Sequence, residues 1–263
     1  MPETALLHWT LDHILTLLVI MTRVGPLIFL LPIIGSGSVP GQVKALFTLA
    51  LSLILLPVIP VSASLLPETA VGYAVFVLTE VAFGATLGFF ARLIFDATDL
   101  AGQMVSISMG MGMAGTMDPE NGAQVSLVGT LWNIVAILIF LGIDGHHLFF
   151  KTLVESFAWV TPGSLRLEQP TMDGITQGIS QMFVLGIQIM APAAVALFLS
   201  HVAMGVIAKT VPQVPIMLVA MPLNIGIGFL FVGLSMLYLL PLMTKHFGIM
   251  GQNLLKLAIG MGN

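Results

Sequence analysis

The chain has no cysteine and very little charge. Without cysteine among its 263 residues, it can have no disulfide framework, thiol nucleophile or cysteine-ligated metal site. Charged residues make up 8% of the chain, whereas soluble domains carry roughly 25%. The net charge is only −4 and there is no basic run, so nothing indicates binding to nucleic acid. Hydrophobic residues make up 57% and mean hydropathy is +1.07, which predicts an all-α integral membrane protein in contact with the lipid bilayer.

Long apolar runs predict about six membrane-length helices, since a span needs about 20 residues. The runs fall at about 14–34, 45–62, 70–95, 124–143, 178–207 and 214–243. The last two, joined by a tight turn at Pro212, Gln213 and Pro215, form a predicted helical hairpin. As helices of about 30 residues they would measure about 45 Å, against a hydrocarbon core of about 30 Å. We therefore expect them to be tilted, broken at Pro192 or Pro222, or partly outside the bilayer.

Ionisable residues inside apolar segments are the first candidates for function. Arg23, Glu80 and Arg92 lie within such segments, where charges are costly and normally face protein or water. Arg92 and Asp96 are spaced to share one helical face, which favours a local ion pair. We interpret these four residues as buried structural charges or subunit contacts, and a proton relay through Glu80 stays as an alternative.

One cluster of titratable residues, Asp144, His146 and His147, resembles a site. It lacks the HExxH spacing, and adjacent histidines are expected to point in different directions on a helix. The neighbouring Gly142 and Gly145 indicate a helix end, so helix capping is the expected role. Metal binding by the two histidines is the weaker alternative, and no catalytic residue, cofactor site or metal site is assigned.

The stretch SISMGMGMAGTMDP, residues 106–119, combines soft apolar side chains with glycine. Three interpretations are open. The first is a copper site, because thioethers suit Cu(I). The second is helix packing, because Met109, Met113 and Met117 would form one stripe on a helix. Alternatively, adaptable methionines and permissive glycines would make a deformable apolar seal, ended by Asp118 before Pro119.

Small residues also predict close helix packing. Gly84 and Gly88 form a GxxxG pattern, which lets two helix backbones approach within a membrane.

Four stretches in order resemble the FliR family, membrane subunits of the flagellar protein-export gate related to a virulence type III secretion subunit. They are RVGPLIFLLPIIGSGSVPGQVKALFTLALSLILLP, DLAGQMVSISMGMGMAGTMDP, FLGIDGHHLFF and VPQVPIMLVAMPLNIGIGF. The resemblance implies a non-enzymatic core subunit of an export channel in the bacterial inner membrane, protruding toward the periplasm. It implies assembly with several copies of FliP and FliQ, and with FlhB and FlhA. Residues 1–173 would be the FliP-like part and 174–263 the FliQ-like hairpin.

The family's pore-plugging loop aligns with residues 104–119. The resemblance therefore assigns a plug, yielding to unfolded export substrates, to Met104, Met109, Gly110, Met111, Gly112, Met113, Ala114, Gly115, Met117, Asp118 and Pro119. Methionines stand here where family members often carry a bulky aromatic, and Asn224 stands where a basic residue is expected. A stand-alone secondary transporter and a copper-handling membrane protein are the alternative functions.

Overall fold

Seven helices account for nearly all of the structure in the described part of the chain. The computed structural model describes residues 2–37, 39–59, 66–67, 69–111, 126–165, 169–211, 213 and 216–262. The helices are α1 (Pro2–Leu30), α2 (Gly41–Leu55), α3 (Ala70–Ser108), α4 (Leu127–Gly142), α5 (Gly145–Trp159), α6 (Gln169–Thr210) and α7 (Ile216–Gly260). Within those ranges there is no β-strand. The predicted all-α class is confirmed.

The number of spans is smaller than the sequence indicated. In the described ranges, four stretches are long and apolar enough to cross a membrane: Thr10–Leu30, Ala70–Ser108, Thr171–Thr210 and Leu218–Gly260. The pair α4 and α5, interrupted for two residues, adds a fifth if it counts as one broken span. The expected second span is a helix of 15 residues, about 22 Å long, which is too short for the hydrocarbon core.

The last two helices are longer than predicted. α6 has 42 residues and α7 has 45, or about 63 and 68 Å along their axes. Both continue as helix through the prolines that we expected to break them, Pro192 and Pro222, and α7 also continues through Pro241. Of the three explanations given for their length, a break at proline is therefore wrong.

The chain divides into two compact units, each built from several stretches. The first comprises Met1–Leu93, Asp144–Ile179 and Gly248–Asn263, and the second comprises Ile94–Ile143 and Ser180–Phe247. The first unit buries Ile20, Val24, Leu27 and Phe83, which are at most 1% exposed. The second contains an aromatic cluster of Phe95, Phe140 and Phe247, whose ring centroids are 5.2–5.7 Å apart. The predicted division into a FliP-like part (1–173) and a FliQ-like hairpin (174–263) is a different kind of division, based on resemblance to other subunits, and it stays a prediction.

Candidate functional site

A buried ion pair joins α1 to α3 in the first unit. Arg23 is 0% exposed and Glu80 is 2% exposed. The Arg23 Nε donates to Glu80 Oε2 at 2.6 Å, and Nη2 donates to Oε1 at 3.0 Å. Two parallel bonds between a guanidinium and a carboxylate give both energy and a fixed geometry. The expectation of paired structural charge is met for these two residues within the chain itself.

The remaining guanidinium hydrogens reach α5 and the residue after it. Arg23 Nη1 donates to the carbonyl and the hydroxyl oxygen of Ser156, at 3.1 and 3.2 Å. Arg23 Nη2 also donates to the carbonyl of Val160 at 3.3 Å, and the backbone N–H of Gly163 donates to Glu80 Oε1 at 2.9 Å. All five N–H groups of Arg23 thus have acceptors, which is what a buried arginine requires to offset its desolvation.

Two phenyl rings enclose the guanidinium. The Arg23 Cζ lies 4.4 Å from the ring centroid of Phe83 and 4.2 Å from that of Phe157. Both distances are within the range of cation–π attraction. Because both carboxylate oxygens of Glu80 already accept hydrogen bonds, the geometry favours a structural role over the alternative proton relay.

The other two intramembrane charges are placed differently. Arg92 is exposed and Asp96 is half-buried in the isolated chain, so Arg92 is not buried by its own chain. An exposed arginine on a long apolar helix is compatible with a subunit contact, which stays a prediction for both residues.

The glycine pair of α3 packs directly on the backbone of α1. A Cβ on Gly84 would collide with the carbonyl oxygen of Arg23. One on Gly88 would lie 2.7 Å from the Leu30 Cβ and 3.2 Å from the Leu27 Cα. The predicted close packing holds in this structure, and it brings Arg23 within reach of Glu80.

The Met/Gly stretch begins where α3 ends, in the second unit. α3 ends at Ser108, and Gly110 has φ +83°, a left-handed conformation suited to glycine. α3 therefore stops before Met109, and the Met113 and Met117 positions of the predicted stripe lie outside the described residues. Met104 is exposed on the last turns of α3, whereas Met111 is half-buried.

Met109 is fully buried against a glycine of α7. A Cβ on Gly228 would lie 2.5–2.8 Å from the Cγ, Sδ and Cε atoms of Met109. The Met109 side chain therefore occupies the space that a side chain at position 228 would need. Met221, also on α7, lies 3.6 Å from where a Cβ of Gly110 would be. No spacing rule in the sequence could pair Gly228 with Met109, because they lie more than 100 residues apart.

Several predicted residues lie outside the described part of the chain. For the plug these are Gly112, Met113, Ala114, Gly115, Met117, Asp118 and Pro119. For the hairpin turn they are Pro212 and Pro215, whereas Gln213 is exposed in a turn. The hairpin helices are joined within the second unit by the Ser200 hydroxyl, which donates to the Asn224 side-chain oxygen at 2.7 Å.

The helix-end cluster differs from its predicted capping role. Asp144 occupies the N-cap position of α5, but its side chain makes no capping hydrogen bond. It has φ +55°, the only positive φ of a non-glycine residue in the described ranges. The rings of His146 and His147 do not point apart: their centroids are 4.2 Å apart.

The described part of the chain has seven helices, four or five apolar stretches of membrane-spanning length and a buried, fully paired arginine. It is an all-α integral membrane protein to which no catalytic centre is assigned. Residues 14–250 match the family described as bacterial export proteins, family 1. The chain belongs to this family, and the resemblance seen in the sequence is confirmed.

Relatives of the chain have consistent names. It is similar to the flagellar biosynthetic protein FliR of Bacillus subtilis (strain 168), with 29% identity over 81% of this chain and 83% of that protein. It is 27% identical to FliR of Aquifex aeolicus (strain VF5), over 90% of this chain and 91% of that one. It is also 26% identical to the secretion system apparatus protein SsaT of Salmonella typhimurium, over 90% and 91% of the two chains.

Proposed function

We propose that this chain is a core subunit of the flagellar type III protein-export gate in the bacterial inner membrane. The family match over residues 14–250 carries the proposal, and the names of the relatives support it. The role is that of a channel component and not of an enzyme. Its partners would be several copies of FliP and FliQ, with FlhB and FlhA at the base.

The long hairpin helices support a subunit that is completed by other chains. In their most apolar windows only 28% of α6 and 22% of α7 is buried, compared with 44% of α3. At about 63 and 68 Å both helices exceed the hydrocarbon core by a factor of about two. Helices of this length suit an assembly that extends beyond the bilayer, toward the periplasm.

Native mass spectrometry of the tagged chain, extracted gently from its own bacterium, tests the assembly. We expect one copy in a large stoichiometric complex with FliP- and FliQ-like subunits. A free monomer or homodimer would overturn the proposal and favour the transporter alternative.

The second part of the proposal is that residues 104–119 plug the closed channel. It is supported by the place where α3 stops: Met109 is held against Gly228, and Gly110 has a backbone conformation that turns the chain out of the helix. Methionine side chains beyond this point would exclude ions and repack when an unfolded substrate passes.

Deletion of residues 110–115 should raise ion leakage through the assembled gate, measured as conductance across the membrane. Replacement of Met111 and Met113 by leucine is the matched control, because leucine has a similar volume and apolarity. The control should not leak. Unchanged conductance in the deletion variant, with the complex intact by mass spectrometry, would contradict the plug.

A further inference from the structure

The start of α5 has an N-cap aspartate whose side chain does not cap the helix. The turn there is closed by the backbone, because the N–H of His147 donates to the carbonyl of Asp144 at 3.0 Å. The Asp144 carboxylate makes no capping bond, and its side chain is 72% exposed. A positive φ in an aspartate is uncommon and is otherwise found where a local contact or a ligand compensates for it.

Two imidazoles converge on that carboxylate. The rings of His146 and His147 are 4.2 Å apart at their centroids and inclined by 46°. His147 Nδ1 lies 3.8 Å from Asp144 Oδ1. One potential ligand atom from each of the three residues lies within 4.8 Å of the others. Among the described residues, this is the one group of at least three such side chains that can converge on an ion.

His146 contributes a second, independent observation. Its Nδ1 is shielded from solvent and has no hydrogen-bond partner in the described part of the protein. A shielded polar atom without a partner is costly, and in a native structure it calls for an unseen water, ion or ligand. The cluster therefore combines an exposed carboxylate, whose neighbour is the His147 ring, with a His146 ring nitrogen that has no partner among the described residues.

We propose that Asp144, His146 and His147 bind a divalent transition-metal ion, with Zn²⁺ as the ion that fits best. Two imidazole nitrogens and one carboxylate oxygen form a common zinc ligand set, and zinc accepts ligands at about 2.0–2.2 Å. Tetrahedral ligands at that radius are about 3.4 Å apart, so metal binding would draw together ligand atoms that now lie within 4.8 Å of one another. The fourth position is left to water.

The ion would fix the first turn of α5. That helix ends beside the buried ion pair, where Ser156 and Val160 accept hydrogen bonds from Arg23. Since binding to the folded state alone stabilises it, metal at Asp144 would raise the stability of the unit that contains the ion pair. The site is independent of the plug and of the proposed channel role.

Metal titration of the full chain in detergent, purified with a tag that lacks histidine, tests the site. Co²⁺ serves as the spectroscopic probe, and Zn²⁺ displaces it in competition. We expect saturation at one equivalent and a Zn²⁺-dependent rise in Tm. His147→Ala should raise the Kd at least tenfold, whereas His201→Ala, which removes an exposed histidine from α6, should leave the Kd unchanged.

Asp144→Asn keeps the test interpretable if a histidine variant folds poorly. Asparagine tolerates the left-handed conformation at this position but offers no charged oxygen. The Asp144→Asn protein should keep its metal-free Tm and lose at least tenfold in Zn²⁺ affinity. No saturable binding by the parent chain, or equal affinity in the parent, His147→Ala and Asp144→Asn proteins, would overturn the proposal.

Discussion

The buried ion pair and the end of α3 join helices by opposite kinds of chemistry. Around Arg23, each N–H group has an acceptor and two aromatic rings close the site. Around Met109, the contact is a flexible thioether against the bare backbone of Gly228. Both side chains are fully buried, at 0% exposure.

The difference concerns how many arrangements each contact allows. Directional bonds to a buried charge are satisfied in one geometry, and any displacement leaves a polar group unpaired. A methionine on glycine gains mainly dispersion energy, which survives small shifts and rotamer changes. The contact around Arg23 is therefore rigid, and the contact between Met109 and Gly228 is adaptable.

Removing the charge from one side of the ion pair should have the largest effect. Arg23→Met leaves Glu80 buried without its partner, which costs about 3–5 kcal/mol in unfolding free energy. Arg23→Met combined with Glu80→Met should recover most of that loss, because no buried charge remains. Thermal unfolding in detergent and the amount of chain in membranes would measure both variants.

A surface pair provides the control. Lys151 lies 3.8 Å from Glu155 and its side chain is 71% exposed, so Lys151→Met should change stability by no more than about 0.5 kcal/mol. If the single and double variants of the buried pair were equally unstable, the charge would not be the cause.

The second effect in size is expected at Gly84. Gly84→Ala directs a methyl group at the carbonyl of Arg23, and a backbone atom cannot rotate away. We expect a loss of about 3 kcal/mol, the upper end of ordinary overpacking. Gly25→Ala is the control, because its new methyl would meet only Thr48 Cγ2 at 3.7 Å. Equal unfolding temperatures for the two variants would contradict the close approach.

Gly228→Ala should have the smallest effect of the three. The new methyl meets the end of a flexible side chain, so Met109 can move and the loss should be about 1 kcal/mol. Gly226→Ala, on the same helix with open space around it, corrects for the gain in helix propensity. The Met109→Ala and Gly228→Ala changes together should cost less than their sum, and additivity in a double-mutant cycle would argue against the contact.

Local patterns in the sequence predicted the helical class, the glycine packing and the presence of buried charge. They could not supply partners that are far apart in the chain. Arg23 finds Glu80 57 residues later, and no spacing rule relates the two. The apolar segment around Arg92 did not indicate that Arg92 is exposed in the isolated chain, because exposure depends on what packs against a helix and not on its own composition.

Helix ends were the other source of error. Apolar composition placed the end of the third segment near residue 95, but α3 continues to Ser108. Polar residues can extend a helix beyond its apolar part: the Gln103 side-chain amide donates to the Asp99 carboxylate, one helical turn earlier, at 2.9 Å. Similarly, prolines in α6 and α7 suggested breaks that do not occur. Apolar composition indicates which residues can lie in the hydrocarbon core of the bilayer, whereas a helix continues for as long as its backbone hydrogen bonds can form.

The wide separation of the Arg23 partners has a consequence for synthesis of the chain. Ser156 follows Arg23 by 133 residues and Val160 by 137. At about 5–20 residues per second, a ribosome needs roughly 7–27 s to produce them. For that interval α1 carries an arginine that lacks the acceptors of Ser156 and Val160, although Glu80 follows it by only 57 residues. Full pairing of the Arg23 guanidinium therefore depends on a segment made much later, and a ribosome that stalls before residue 156 leaves Arg23 with the Glu80 carboxylate as its acceptor.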